Sequence, residues 1–175
     1  MKKVLSIVLM LMLLSLVACG TNAENNDTNN DGPGEILYPD EILEVNFNGE
    51  QVGTITLAEI VELEEVEFEA TLKSSGNDPV DQLYSGVLLK DILSHMAVDL
   101  NAVQAVIVSA SDGYAVTVLS EKLMEADNVY IAFKKEGQWI ENKDNNGNGP
   151  MQMIISNDPF SQYWCKFVVS IDAIE

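Results

Sequence analysis

Residues 65–93 read EVEFEATLKSSGNDPVDQLYSGVLLKDIL, and two periodicities inside that stretch decide the class of fold. From Glu65 to Lys73 apolar and polar residues alternate. Val66, Phe68, Ala70 and Leu72 fall on one side, and Glu65, Glu67, Glu69 and Thr71 on the other. A period of two belongs to a strand with one buried face. Its glutamates read as a solvated outer face rather than a metal site, because a run of like charges stays in water. After a loop the period changes. Val87 to Ala97 places Leu88, Leu89, Ile92, Leu93 and Met96 along one helical stripe. His95, the only histidine, lies beside that stripe and is expected to be structural or exposed.

Working outward, strands dominate. Ile42 to Asn48 and Gln51 to Ile55 are joined by Asn48-Gly49, a strong two-residue hairpin signal. Thr56 to Leu63 predicts a short helix capped by Thr56, with Glu59 three positions on. Val103 to Ser109 and Tyr114 to Leu119 flank an Asp112-Gly113 turn, and Val129 to Lys134 pairs with Gln138 to Ile140 through Glu136-Gly137. Met151 to Ser156 and Cys165 to Ile171 are the last predicted strands, after a polar loop from Asn142 to Gly149. The pattern is α+β, strand-rich and a single domain, without the regular strand–helix alternation of a parallel α/β sheet.

The beginning of the chain carries a different message. Lys2 and Lys3 precede an apolar stretch, Val4 to Ala18, interrupted only by serines. It is shorter than the about 20 apolar residues a spanning helix needs. Leu16-Val17-Ala18-Cys19 then resembles the box recognised by lipoprotein signal peptidase. Residues 1–18 are therefore expected to be a signal peptide, and Cys19 the lipidated first residue of the mature chain. The expected location is the cell membrane, on its extracytoplasmic side, with the lipid bilayer as partner through acylated Cys19. Residues 19–34 contain TNAENNDTNNDGPG, too polar to repay the entropy of ordering, and read as a tether. Residues 35–175 are long enough for one domain with a real core.

Charge narrows the partners. The 175-residue chain carries 28 acidic and nine basic residues, a formal net charge of −19. All the basic residues are lysines. Such a field disfavours nucleic acid. With Cys19 lipidated, Cys165 is left without a disulfide partner and reads as a buried, inert thiol. Hydrolase chemistry has no support, since one histidine and no G-x-S-x-G elbow offer no base for a nucleophile. Asp144-Asn145-Asn146-Gly147-Asn148 has the alternating oxygens of a calcium loop but lacks its closing glutamate, and reads as an ordinary loop.

Four segments in order resemble the molybdopterin-binding domain of the sulfite oxidase family. Thr71-Leu72-Lys73-Ser74-Ser75-Gly76-Asn77 is similar to that family's strand and loop bearing the molybdenum-binding cysteine. Tyr84-Ser85-Gly86-Val87-Leu88-Leu89-Lys90-Asp91-Ile92-Leu93 is similar to its W-x-G-V-P-L-x-D-L-L segment, read as the start of a helix. Ser111-Asp112-Gly113-Tyr114 resembles its D-G-Y turn. Gly149-Pro150-Met151-Gln152 through Lys166-Phe167-Val168-Val169-Ser170-Ile171 resembles its ending. The resemblance implies the sulfite-oxidase-like molybdopterin-binding fold and a ligand pocket at Ser74, Asn77, Asp112, Tyr114, Gln152 and Lys166.

The departures bear on chemistry. Ser74 stands where the family has its cysteine, and a protonated hydroxyl is a poor substitute for a soft thiolate ligand. Gln152 stands where the family has arginine, so a charged fork becomes a neutral amide. The expectation is a module with no metal and no cofactor that binds a small molecule or an extracytoplasmic protein. The alternative is a molybdopterin-dependent oxidoreductase with Ser74 or solvent at the metal.

Overall fold

The computed structural model describes residues 35–175. The chain opens with a hairpin of β1 (Ile42–Phe47) and β2 (Glu50–Thr56). Asn48 and Gly49 both take positive φ, 53° and 80°, the twist that a two-residue hairpin requires. Helix α1 (Leu57–Val61) starts at Thr56, whose side chain accepts from the Glu59 amide while the Glu59 carboxylate accepts from the Thr56 amide. That reciprocal pair is the predicted capping box.

Next come β3 (Val66–Leu72), β4 (Val80–Leu88) and helix α2 (Leu89–His95). They are followed by β5 (Ala105–Ala110), β6 (Ala115–Leu119) and helix α3 (Ser120–Met124). The chain ends with β7 (Val129–Lys135), β8 (Gln138–Trp139), β9 (Gln152–Ile155) and β10 (Val168–Ile174). His95 is exposed at the end of α2.

The strands form two sheets. One runs β2-β1-β10-β5-β6, with β1 parallel to β10. The other runs β3-β4-β7-β8, and β9 joins it by pairing with β7. Both contribute to one apolar core, in which Val106, Val108 and Ile171 of the first sheet and Ile131, Phe133 and Met153 of the second are fully excluded from solvent.

Three predicted elements need correction. Val80 to Leu88 was expected as loop and helix start; it is a strand. Tyr84, Ser85, Gly86 and Val87 are all buried between β3 and β7, so no alternation marks them. Gly86 is required there, because a Cβ would stand 2.4 Å from the Ile131 carbonyl oxygen and 2.8 Å from the Ala132 Cα. The final strand begins at Val168 rather than Cys165, which instead exchanges two backbone hydrogen bonds with Met153, 2.7 and 3.0 Å. Helix α3 had no counterpart in the sequence reading.

Candidate functional site

The expected signal peptide, residues 1–18, the expected lipidation site Cys19 and the expected tether, residues 19–34, lie outside the described residues. Residues 35–175 form a cleft of about 640 Å³. Its floor comes from β4 and β9, and its rim from the loops after β3 and β9. Ser74, Asn77, Gln152 and Lys166 all line it. Asp112 and Tyr114 do not. Asp112 caps its own turn by accepting from the Tyr114 amide at 3.0 Å. The Tyr114 hydroxyl donates to the carbonyl of Gln162 at 2.9 Å, so it braces a wall residue from behind.

Asn77 donates through Nδ2 to the Ser74 hydroxyl at 3.1 Å, which closes the loop after β3 on itself. A second link crosses the cleft mouth. The Ser161 hydroxyl donates to the Lys73 carbonyl at 2.9 Å, and the Lys73 ammonium lies 4.7 Å from the Phe160 ring centroid. The loop after β9 and the loop after β3 are thereby clasped together.

Aromatic residues stiffen the interior wall. Trp164 packs edge-on against Tyr84, centroids 5.9 Å apart, and donates its indole N–H to Ile155 at 3.2 Å. The Tyr84 hydroxyl donates to Gln82 at 2.6 Å. Burial, with the nearby Glu136 charge, pushes Tyr84 up to about 12, so its phenol stays neutral.

Two features set the electrostatics. Lys73, Lys135 and Lys166 line the cleft, and no aspartate or glutamate does. Lys135 arrives through the pairing of β7 with β4, where it sits opposite Tyr84. Gln152 is 3 % exposed, and its side-chain amide makes no hydrogen bond among the described residues. Its polar atoms are not fully buried, since Asp158 Oδ2 is the one fully buried side-chain atom without a partner among the described residues, so the amide presents its donor and acceptor to the cleft. Sequence reasoning had assigned Lys166 and Gln152 but missed Lys73, Lys135, Tyr84 and Trp164.

Cys165 is fully buried; its thiol contacts the Val108 carbonyl at 3.8 Å and does not line the cleft. Burial first, then the Asp112 charge, push it up to about 11, far from a reactive thiolate. Among the described residues no cluster of three His, Cys, Asp or Glu side chains is placed to hold a metal ion.

These features define a class: a strand-rich, two-sheet domain with a lysine-edged cleft. Residues 38–175 match the family described as the oxidoreductase molybdopterin binding domain, and the chain belongs to that family. Its fold is similar to that in the crystal structure of the sulfane dehydrogenase SoxCD from Paracoccus pantotrophus. That match has a TM-score of 0.64 and 17 % identity, and covers 82 % of this chain and 40 % of that one. At that identity the likeness is one of fold, and the chain spans well under half the length of its structural neighbour. A search of curated proteins finds no match.

The family implies a molybdopterin, and the side chains fit its two parts unequally. Lysines and amides suit an oxyanion and the edges of a heterocycle. Toward a metal, Ser74 offers a hydroxyl rather than a soft thiolate, and the one described thiol lies away from the cleft and is protonated.

Proposed function

We propose that this chain is a membrane-anchored, extracytoplasmic binding module in which the family's cleft holds a small organic oxyanion without metal-centred redox chemistry. The observation that carries this reading is the composition of the cleft. Three ammonium groups and no carboxylate surround it, on a chain of formal charge −19, with the unpartnered Gln152 amide at its base. An anionic group would sit among Lys73, Lys135 and Lys166, and an adjoining polar edge would satisfy Gln152. Tyr84 and Trp164 supply rigid apolar surface beside them. Contacts from an ammonium to an oxyanion are roughly twice as strong as neutral hydrogen bonds.

The lipid anchor rests on Lys2, Lys3, the apolar run and Cys19. It would hold the domain at the outer side of the membrane on a tether reaching up to about 50 Å when extended. Ser74 and the remote, protonated Cys165 support a non-catalytic role.

The test begins with metal analysis of the mature protein, exported with its own leader from a molybdenum-competent host, with fluorescence of any acid-released pterin. A well-folded sample free of molybdenum is expected. It should bind inorganic pyrophosphate saturably, read through tryptophan emission, and Lys135→Gln should weaken that binding severalfold. Molybdenum and pterin at one per chain would overturn the reading in favour of an oxidoreductase with Ser74 beside the metal.

A further inference from the structure

Exposed aromatic side chains gather at one place on this domain. Among the described residues they are Tyr114, Phe160 and Tyr163. Phe160 lines the cleft, Tyr163 follows three residues later, and the Tyr114 hydroxyl is bonded to the Gln162 carbonyl between them. Val80, 51 % exposed, stands at the opposite lip, because it pairs with Leu72 of the cleft wall. Aromatic rings collect where water meets lipid headgroups, since one edge of such a boundary is apolar and the other wet. A free, soluble oxyanion would have no use for an apolar rim.

Charge and attachment agree with a membrane-facing mouth. Lys73, Lys135 and Lys166 line the cleft. The carboxylates close to its rim in sequence are Asp78, Asp81, Asp112 and Asp158. Asp81 accepts from the Thr71 hydroxyl, Asp112 accepts from the Tyr114 amide, and Asp158 is paired with Lys122. Asp78 is exposed on the loop after β3. Fields of the more distant carboxylates fade over a Debye length of about 8 Å at physiological salt, so the ammonium groups govern an anion at the mouth. At the start of the domain Ile36 and Tyr38 pack on the core, and Asn145 donates to the Tyr38 hydroxyl at 3.0 Å. The same loop, 141–149, brings Asn148 to the cleft. Residues 19–34 therefore join the domain at a loop that itself reaches the cleft. An anchor at Cys19 would leave the mouth within reach of the bilayer.

We propose that the cleft takes the phosphate headgroup of an anionic membrane lipid, with Tyr114, Phe160 and Tyr163 resting in the headgroup layer. This rests on the reading of the cleft as an oxyanion site and names where the oxyanion comes from. The Lys73 ammonium lies 4.7 Å from the Phe160 centroid, so its stem can stay along the ring while its charged end turns to the phosphate. The acyl chains stay in the bilayer, and the cleft receives the headgroup alone.

The chain from residue 19 carrying Cys19→Ser keeps the tether and the domain but cannot be lipidated, so its attachment to vesicles reports the domain. It should sediment with vesicles of phosphatidylcholine containing about 30 % phosphatidylglycerol, at least roughly tenfold more tightly than with phosphatidylcholine alone. Inorganic pyrophosphate should release it. Lys135→Gln should weaken attachment severalfold, as should Tyr163→Ser, whereas Lys90→Gln on α2, away from the cleft, should not. Pyrophosphate binding in solution without sedimentation would overturn the proposal and leave the oxyanion reading standing; loss of both would remove both. Attachment indifferent to pyrophosphate, to Lys135→Gln or to Tyr163→Ser would also overturn it, since the membrane contact would then lie away from the cleft mouth.

Discussion

Replacing Gln152 by methionine should leave the ligand-free protein about as stable and bind the ligand more weakly. The side chain is 3 % exposed and its amide has no hydrogen-bond partner among the described residues. The amide is nevertheless not fully buried, because it opens onto the cleft, and so it escapes the about 1–3 kcal/mol that a fully desolvated, unpaired group would cost. Methionine has nearly the same length, carries no comparable polar group, and tolerates imperfect packing. Its neighbours in sequence, Met151 and Met153, are fully buried, so the surroundings suit a thioether. Gln152→Met should therefore change stability by less than about 1 kcal/mol, and Tm by less than about 4 °C for a domain of this size. Wild-type protein at a hundredfold excess of pyrophosphate over Kd should gain about 2.7 kcal/mol, an increment the variant largely loses. Thermal unfolding followed by circular dichroism, with and without pyrophosphate, measures both effects. A variant less stable than wild type by about 1 kcal/mol or more would refute the reasoning, since the amide must then be satisfied within the fold.

Gly86→Ala should destabilise the domain by about 2–3 kcal/mol in denaturant unfolding, because the new methyl meets the β7 backbone 2.4 Å away and neither strand can yield freely. A loss below about 0.5 kcal/mol would show that β4 and β7 separate easily. Alkaline stability should follow Tyr84 and Cys165, whose ordinary values of 10.0 and 9.0 are pushed up to about 12 and about 11. Both are neutral when protonated. The unfolded chain therefore releases their protons first, and stability that is complete below pH 9 falls as pH rises through 9–11 for Cys165 and 10–12 for Tyr84. Tyr84→Phe should flatten the upper part of that fall; an unchanged slope would assign it to other groups.

Local chemistry was the readable part of this fold. Asn48-Gly49 forces a positive-φ hairpin wherever it lies between strands, and Thr56 with Glu59 caps a helix without outside help. β4 was not readable, because a strand covered on both faces loses the alternation that identifies strands. The leucines that follow at its end then lent it a helical period. At the site, Ser74, Asn77, Gln152 and Lys166 were found through a resemblance carried by short motifs. Lys73 and Lys135 were missed for a physical reason. A lysine in an acidic chain reads as solvated surface until pairing places it, and only the register of β7 against β4 puts Lys135 at the cleft. Tyr114 was assigned one layer too deep, since its hydroxyl supports the Gln162 wall from outside.

The distribution of lysines bears on how a ligand reaches the cleft. Elsewhere two of the four described ammonium groups pair with carboxylates, Lys122 with Asp158 and Lys134 with Glu65 at 2.8 Å, while Lys90 and Lys143 do not. Lys73, Lys135 and Lys166 form no such pair among the described residues, and Lys73 rests on an aromatic ring instead. The chain's net charge of −19 repels an approaching anion, while the cleft attracts it over a Debye length of about 8 Å at physiological salt. Salt should therefore act oppositely on the two halves of binding. Screening the distant carboxylates should speed association, whereas screening the lysine contacts should speed release. Stopped-flow tryptophan emission with pyrophosphate resolves the two rates. If association slows steadily as salt is added, the local lysine field already dominates at long range, and the acidic surface plays no part in controlling access.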